Sequence, residues 1–271
     1  MKKKGKKKRL KKRSRMMKNY DVIIIGAGVA GMTAGIYAKR AGKAVAIFES
    51  KACGGEILQS LKVTNWPGEK EISGPDLMEK IHQQVKELGV EIIFEEVEEV
   101  KQADGGFLVT SDETKYNGKT VIIATGTVPR KLDTERAKEI GDRAISYCAI
   151  CDGALYKDKP VAVIGGGNTA KYDISYVENI ASIVYPVLRE DPIPEDAVAI
   201  FVAIGREPAT KIFEGLVDLD EKGYVVAGED CQTSTPGIFV AGDSRTKNIR
   251  QLITASSDGA IAASMAVRYL G

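Results

Sequence analysis

The stretch Val22-Ile-Ile-Ile-Gly26-Ala-Gly28-Val-Ala-Gly31 decides the fold. Its apolar, mostly β-branched start is typical of a buried parallel strand, and the glycines predict a tight turn into a helix. In this spacing Gly26 permits the turn, Gly28 lets a pyrophosphate approach the backbone, and Gly31 allows close helix–strand packing. Glu49 ends the next predicted strand, where a carboxylate accepts hydrogen bonds from ribose hydroxyls. The stretch therefore predicts a dinucleotide-binding α/β fold.

A second unit of the same kind begins at the predicted strand Pro160–Ile164. Its turn reads Gly165-Gly-Gly167-Asn-Thr-Ala170 and again opens a predicted helix. Two such units indicate two bound dinucleotides, or one dinucleotide and the relic of a second site.

Between the two turns lies Cys148-Ala-Ile-Cys151-Asp152. Two intervening residues let the sulfurs meet across one turn, so the pair can cycle between dithiol and disulfide. Asp152 is adjacent and can deliver or take a proton. The alternative is half of a zinc site, but zinc needs four ligands, and Cys53 and Cys231 lack the spacing. We interpret the pair as redox-active and expect no metal site.

The formal net charge of +2 conceals an uneven distribution. Residues 1–15 hold eleven Lys or Arg and no acid, which leaves 28 basic and 37 acidic residues for the remainder. Residues 1–16 are predicted to be a disordered basic arm that contacts an anionic surface or nucleic acid, or else a tag or an early start before Met16 or Met17. The acidic remainder makes nucleic-acid binding by the folded part unlikely.

Other sequence features indicate a cytoplasmic protein that does not enter a membrane. The uncharged run Val22–Ala38 falls just short of a membrane span and contains four glycines, so we interpret it as strand, turn and helix. No secretory signal follows the charged start. Four cysteines are too few for a disulfide scaffold in 271 residues, and the single histidine, His82, is expected on the surface.

The middle of the chain predicts a helix over Pro75–Leu88, followed by strands in an antiparallel meander. Turns are predicted at Asp104-Gly105-Gly106 and at Asn117-Gly118. A final helix is predicted over Ser257–Leu270.

Taken together, these residues resemble the low-molecular-weight thioredoxin reductases, which are two-dinucleotide-binding flavoprotein disulfide reductases. The similarity runs over nearly all of residues 19–271, and Cys-x-x-Cys-Asp-Gly between two glycine turns is its specific element. It implies an α/β fold with a Rossmann-like FAD domain of three layers (ββα), formed by residues 17–127 and 210–271. A truncated second domain of the dinucleotide-binding type, residues 128–209, is inserted between them.

The resemblance also implies residue roles. Cys151 would face the flavin, Cys148 would attack the disulfide of a thioredoxin-like protein, and Asp152 would donate a proton. A homodimer is implied as well. The FAD-binding residues carried over are Gly26, Gly28, Gly31, Glu49, Gly55, Asn65, Thr125, Gly126, Gly242, Asp243, Arg250 and Gln251.

The sequence departs from this family at the site of the electron donor. Where the family has a His-Arg-Arg cluster for the 2′-phosphate of NADPH, this chain has Leu188-Arg189-Glu190, and Glu190 favours NADH. Only six residues separate Glu190 from Ala197, whereas a parallel crossover needs about a dozen. Pro186 restricts its strand to a sheet edge. NAD(P)H binding is therefore doubtful.

Three classes of functional hypothesis follow, the first of them in two versions. The leading one is an FAD enzyme that reduces a thioredoxin-like disulfide with electrons from reduced ferredoxin, as some family members do. Its alternative takes NAD(P)H at the remaining turn, Gly165, Gly167 and Ala170. Two hypotheses of other classes are a non-catalytic FAD-binding protein and a nucleic-acid binder that uses residues 1–15.

Overall fold

The computed structural model describes residues 17–60, 62–112, 114–132, 138–141, 143–188 and 190–271. The predicted arm at residues 1–16 and Arg189 lie outside these ranges. The strands are β1 (Lys18–Ile25), β2 (Val45–Phe48), β3 (Glu91–Ile93), β4 (Val97–Ala103), β5 (Gly106–Ser111), β6 (Thr114–Ile123), β7 (Thr127–Pro129), β8 (Ala144–Ser146), β9 (Pro160–Ile164), β10 (Ile183–Val187), β11 (Ala199–Val202), β12 (Arg206–Pro208) and β13 (Ile238–Val240). The α-helices that the argument uses are α1 (Val29–Arg40), α2 (Gly74–Glu87), α3 (Ala149–Asp152), α4 (Asn168–Val177) and α5 (Leu252–Leu270).

Seven strands form one sheet, called here the large sheet, in the order β3-β2-β1-β6-β5-β4 with β13 also paired to β6. Strands β1, β2, β3 and β13 pair in parallel, whereas β4, β5 and the start of β6 form an antiparallel meander. Alternate residues of β1 face opposite sides: Val22 and Ile24 pack with the helices, Ile23 and Ile25 with the meander. Helices, parallel strands and meander thus make the three layers that were predicted.

Four parallel strands form a separate sheet, called here the small sheet, in the order β10-β9-β11-β8. The chain leaves the large sheet through β7 and returns through β12, and these two strands pair as an antiparallel ribbon. Backbone hydrogen bonds from Ala209 to Gly126 (3.1 Å) and from Arg130 to Gly205 (2.9 Å) extend the ribbon. The predicted domain boundaries fall at this ribbon and stay a prediction.

The link between β10 and β11 spans only residues 188–198. Both strands are parallel to β9, which lies between them, so the link crosses over β9. The described part of the link contains no helix. Ile193 and Ala197 pack against Ile164 and Ile200 on the sheet face that a crossover helix would cover. The prediction that a usual βαβ crossover is missing is confirmed, as is the edge position of Pro186.

The predicted turn at Asn117-Gly118 is wrong. Both residues lie inside β6, paired with β1 on one side and β5 on the other. The hairpin turns instead after Ser111, where Asp112 has φ 44°. Gly118 serves packing, because a Cβ there would lie 3.0 Å from Ile23 Cδ1. Asn-Gly is a strong turn signal, and here this packing requirement overrides it.

The uncharged run Val22–Ala38 folds as strand, turn and helix, as predicted. Across the described ranges, no helix combines the length and the apolar character that crossing a membrane requires. Helix α5 starts at Leu252, five residues before the predicted start, since Gln251 and Thr254 cap it reciprocally.

Candidate functional site

The first glycine turn joins β1 to α1. Gly26 has φ +108°, and a Cβ there would lie 2.3 Å from the carbonyl oxygen of Ala124. A Cβ at Gly31 would lie 1.8 Å from the carbonyl oxygen of Gly26. Gly28 has open space, with Gly54 O at 4.0 Å as its nearest neighbour. Glycine at 26 and 31 is therefore required by the turn itself, whereas glycine at 28 leaves room for a ligand beside the backbone.

Glu49 lies directly after β2, beside this turn. Its Oε2 accepts a hydrogen bond from the backbone N–H of Ala27, and its Oε1 accepts one from Lys51, both at 2.9 Å. The backbone thus fixes the carboxylate, and each oxygen keeps a free lone pair. Glu49 can therefore accept a hydrogen bond from a ligand hydroxyl.

A cavity of about 860 Å³ opens between the glycine turn and the loops that follow β6 and β13. Its volume lies in the upper part of the ~300–1,000 Å³ range of cofactor sites. Of the residues predicted to hold FAD, Gly31 packs against the turn and does not line the cavity. The others all line it: Gly26, Gly28, Glu49, Gly55, Asn65, Thr125, Gly126, Gly242, Asp243, Arg250 and Gln251.

Two buried polar atoms of residues in the cavity wall have no hydrogen-bond partner within the described part of the chain. They are Oγ1 of Thr125 and Oδ1 of Asp243. Burial raises the pKa of the Asp243 carboxyl despite the opposing charges of Lys247 and Arg250. Because unsatisfied buried polar atoms are costly, both atoms indicate a polar ligand that supplies their partners.

A buried ion network fixes the loop that carries Asp243. Asp258 Oδ2 accepts from Lys247 Nζ at 2.7 Å and from Arg245 Nε at 3.0 Å, and it also accepts from the backbone N–H of Gly242 at 3.1 Å. Burial alone would raise the pKa of Asp258, but the hydrogen bonds from Arg245 and Lys247 outweigh it and hold the pKa below its usual range. The network has no signature in the sequence, since two loop cations and a later helical acid form no recognised motif.

The outer wall of the cavity is ordered by side-chain contacts. Asn65 Nδ2 donates to Gln251 Oε1 at 3.1 Å. The Arg250 guanidinium lies 4.0 Å from the centre of the Tyr224 ring, a cation–π contact. These predicted site residues are therefore positioned by the protein itself.

The cysteine segment lies on the small sheet, at the end of β8 and in α3. Cys148 is disulfide-bonded, whereas Cys53 and Cys231 are free; the side chain of Cys151 is outside what the structure describes. The Asp152 carboxylate accepts a hydrogen bond from Ser146 Oγ at 2.7 Å. Cys148 and Asp152 do not line the cavity.

An ion pair connects the ribbon to the cavity. Arg206, in β12, donates to Thr127 of β7 through Nε (3.0 Å) and pairs with Glu56, which lines the cavity. Burial raises the pKa of Glu56, and Arg206 opposes that shift. The orientation of the ribbon is therefore tied to a residue of the cavity wall.

The second glycine turn lies away from this cavity. Gly165, Gly167 and Ala170 are absent from its lining. A Cβ at Gly165 would lie 2.3 Å from the carbonyl oxygen of Ala203, as at the first turn. Leu188 Cδ2 comes within 3.4 Å of a Cβ built on Gly166, so an apolar side chain lies close to the turn. A Cβ at Gly167, the position that corresponds to Gly28, would meet nothing within 4 Å, so the backbone there is open to a ligand.

The remaining cysteines and the histidine play no part in this geometry. Cys231 is buried, and burial raises the pKa of its thiol to about 12, whereas Cys53 is only partly buried. The expectation that both are ordinary buried residues thus holds fully for Cys231. His82 lies 3.9 Å from Glu79 on α2. Within the described ranges, no three His, Cys, Asp or Glu residues are grouped to hold a metal ion.

A family model described as pyridine nucleotide-disulphide oxidoreductase matches residues 20–193 and 174–259. The chain belongs to this family. The thioredoxin reductase of Listeria innocua is 34% identical over 301 aligned positions, which cover 93% of this chain and 94% of that protein. The alignment is longer than this chain of 271 residues, so the relative carries segments that this chain lacks. The two matched segments overlap over residues 174–193, around β10 and the start of the short link.

Solved structures share the same fold. Thioredoxin reductase from Lactococcus lactis, described as being in the FR conformation, is 29% identical, with a TM-score of 0.83 over 93% of this chain and 99% of that one. A ferredoxin-flavin thioredoxin reductase from Clostridium acetobutylicum is 26% identical, with a TM-score of 0.62 over 94% and 99%. The predicted fold class, with a truncated second unit, is confirmed.

Proposed function

We propose that this protein is an FAD-dependent thioredoxin-disulfide reductase. The observation that carries the proposal is the cavity at the first glycine turn, which gathers the residues predicted for FAD in a chain that also has Cys148-x-x-Cys151-Asp152. Its relatives' names support the same activity.

The cavity residues fit FAD. The turn around Gly28 leaves room for a pyrophosphate, and Glu49 offers oriented oxygens to a ribose. The unpartnered atoms of Thr125 and Asp243 suit polar atoms of the flavin and its ribityl chain. When bound, FAD supplies two-electron chemistry beside a thiol pair.

The thiol pair would carry the electrons onward. In this proposal Cys148 and Cys151 form the redox disulfide. In the dithiol state the Cys148 thiolate attacks one sulfur of the partner's disulfide, and the other partner sulfur leaves as a thiolate that takes a proton from Asp152. The Cys151 thiol then gives its proton to the ionised Asp152 and attacks the Cys148 sulfur of the mixed disulfide, so that the second partner sulfur leaves as a thiolate, protonated from solvent, and the Cys148–Cys151 disulfide is restored.

The pair needs a movement to reach the flavin, because Cys148 and Asp152 lie outside the cavity lining. The ribbon of β7 and β12 is the place for that movement, since both chain connections between the sheets run through it. We propose that rotation about this ribbon alternates the pair between the flavin and the partner protein.

We expect Glu49→Gln to weaken FAD binding. The glutamine amide replaces one of the two acceptor oxygens by an N–H donor, so a ribose hydroxyl loses an oriented acceptor, at a cost of about 1–3 kcal/mol or ~10–100-fold in affinity. Titration of the apoprotein with FAD, followed by fluorescence, measures the change. Glu98→Gln, an exposed position on β4, is the matched control. Equal affinity of Glu49→Gln and wild type would contradict the ribose role.

For the electron donor we propose a protein of the ferredoxin type. The missing crossover helix and the apolar side chain of Leu188 near the second turn disfavour any nicotinamide dinucleotide, and the acids Glu190 and Asp191 disfavour the 2′-phosphate of NADPH in particular. The structural neighbour named ferredoxin-flavin thioredoxin reductase supports this choice. The alternative donor is NAD(P)H at the remaining turn.

Anaerobic titration of the purified flavoprotein tests the donor. We expect reduced ferredoxin to bleach the flavin within seconds, whereas stoichiometric NADH or NADPH leaves its spectrum unchanged. Dithionite is the control that shows the flavin to be reducible. Rapid bleaching by either nicotinamide would refute the ferredoxin proposal and favour the alternative.

A further inference from the structure

Ser146 connects three parts of the cysteine segment through one hydroxyl group. Its Oγ accepts a hydrogen bond from the backbone N–H of Cys148 at 3.0 Å and donates to Asp152 Oδ2 at 2.7 Å. The same hydroxyl lies 3.2 Å from the carbonyl oxygen of Cys148. Since a serine has one proton to donate, the shorter contact to the carboxylate is the principal one.

Strand β8 holds the Ser146 hydroxyl in place, whereas helix α3, which the hydroxyl contacts, is not stable by itself. Ser146 is buried and ends β8, where it pairs in register with Phe201 of the adjacent parallel strand. Helix α3 has only four residues, too few to be stable without tertiary contacts. A backbone hydrogen bond from Asp152 N–H to the carbonyl oxygen of Cys148 (3.2 Å) joins the two residues, and the Ser146 hydroxyl in addition ties the Asp152 side chain to the strand.

We propose that Ser146 is a positioning residue for the proton transfer that accompanies disulfide interchange at Cys148. It holds the Asp152 carboxyl in one orientation beside the first cysteine of the pair. The proposal rests on the proposed function, because it assigns a role within the same redox segment. Ser146 acts through Asp152 and does not itself exchange protons with the partner disulfide.

Other titratable groups border α3 and must be separated from Asp152. On α4, which packs against α3, Lys171 and Tyr172 are exposed, while Asp173 and Tyr176 are partly buried. Tyr176 donates to the carbonyl oxygen of Ile150 at 3.4 Å. Burial raises the pKa of Asp173 to about 6, so this carboxyl titrates in the range that an assay covers. In the 3-10 helix after α3, Tyr156 is the titratable residue.

The test measures the rate at which dithionite-reduced enzyme reduces a small aromatic disulfide, as a function of pH. We expect Ser146→Ala to slow this step by about 10- to 100-fold, less than the ~10²–10⁴ of a complete general acid. FAD content and flavin reduction stay unchanged. Ser146→Thr, which keeps the hydroxyl, restores the rate.

The pH profile and a double variant separate positioning from a structural effect. In Ser146→Ala the limb that Asp152→Asn abolishes changes, whereas the rest of the pH profile stays as in the wild type. Asp173→Asn shows which part of the pH profile is due to the Asp173 carboxyl on α4. In the Asp152→Asn background, Ser146→Ala causes no further loss.

The proposal is overturned if Ser146→Ala slows both backgrounds equally, or if the Asp152 limb does not change. If the alanine variant does not fold, Ser146→Gly is compared in the same way in the wild-type and Asp152→Asn backgrounds. Because the assay uses a small disulfide, it does not depend on thioredoxin. A wild-type enzyme that reduces the small disulfide but not thioredoxin would refute the proposed partner and still allow the Ser146 comparison.

Discussion

Replacing Cys148 by serine is expected to lower thioredoxin reduction by about three orders of magnitude or more, with full FAD content. A serine hydroxyl forms no disulfide and is a poor nucleophile at neutral pH. Flavin binding should survive, because Cys148 does not line the cavity. Steady-state reduction of a thioredoxin disulfide with dithionite as the reductant measures the loss without any assumption about the natural donor.

Cys151→Ser is expected to cause the same loss, since the proposed cycle needs both thiols. Cys53→Ser is the matched control, because Cys53 is a free, partly buried cysteine away from the redox segment. Unchanged activity in both Cys148→Ser and Cys151→Ser would support the hypothesis of a non-catalytic FAD-binding protein. Deletion of residues 1–15 is a separate test of the nucleic-acid hypothesis. If that hypothesis is correct, the deletion abolishes salt-sensitive binding to nucleic acid.

The second large effect is expected at Asp258. Its side chain is 6% exposed and compensates Arg245 and Lys247, which are 11% and 7% exposed. Asp258→Ala removes the carboxylate that balances both cations, although Arg245 keeps carbonyl acceptors, and breaking such a buried network costs about 3–5 kcal/mol. Urea unfolding measures the loss of stability. The absorbance of the FAD that stays bound shows whether the loop that carries Asp243 is still ordered enough to hold the flavin.

The Asp258 carboxylate also makes the free energy of unfolding depend on pH. The pKa of Asp258 is held below its unfolded value, so its contribution to stability is present above that value, roughly pH 4, and is lost as pH falls further. Asp258→Asn should remove this part of the acid destabilisation. Ser257→Ala, at the exposed neighbouring position of α5, is the control and should unfold like wild type. Wild-type stability in Asp258→Ala would contradict the network's role.

The sequence predicts what depends on backbone sterics. Gly26 and Gly31 have no room for a side chain, so the spacing of these glycines predicts the turn from the sequence alone. The absence of a crossover helix is also predictable from the sequence, because residues 188–198 are too few to form a helix and both of its connections. The positive φ of Gly26, the contact of Gly31 with Gly26 and the length of the link are constraints within short stretches of sequence, and the strand–turn–helix units they predict are present.

The parts that sequence analysis missed depend on contacts between distant segments. Arg245 and Lys247 meet Asp258 only after α5 packs beside the loop. Arg206 meets Glu56 across 150 positions of sequence. Gly118 looks like a turn residue until Ile23 is found against it. Local propensity carries no information about these partners.

The edge of the small sheet has a consequence for the behaviour of the protein at high concentration. Strand β10 reads Ile-Val-Tyr-Pro-Val, an uncharged segment with Ile183 exposed, and such edges recruit strands from neighbouring molecules. Pro186 removes one amide donor from that edge, so an incoming strand cannot complete its ladder. A single proline thereby opposes aggregation where the shortened unit is most vulnerable.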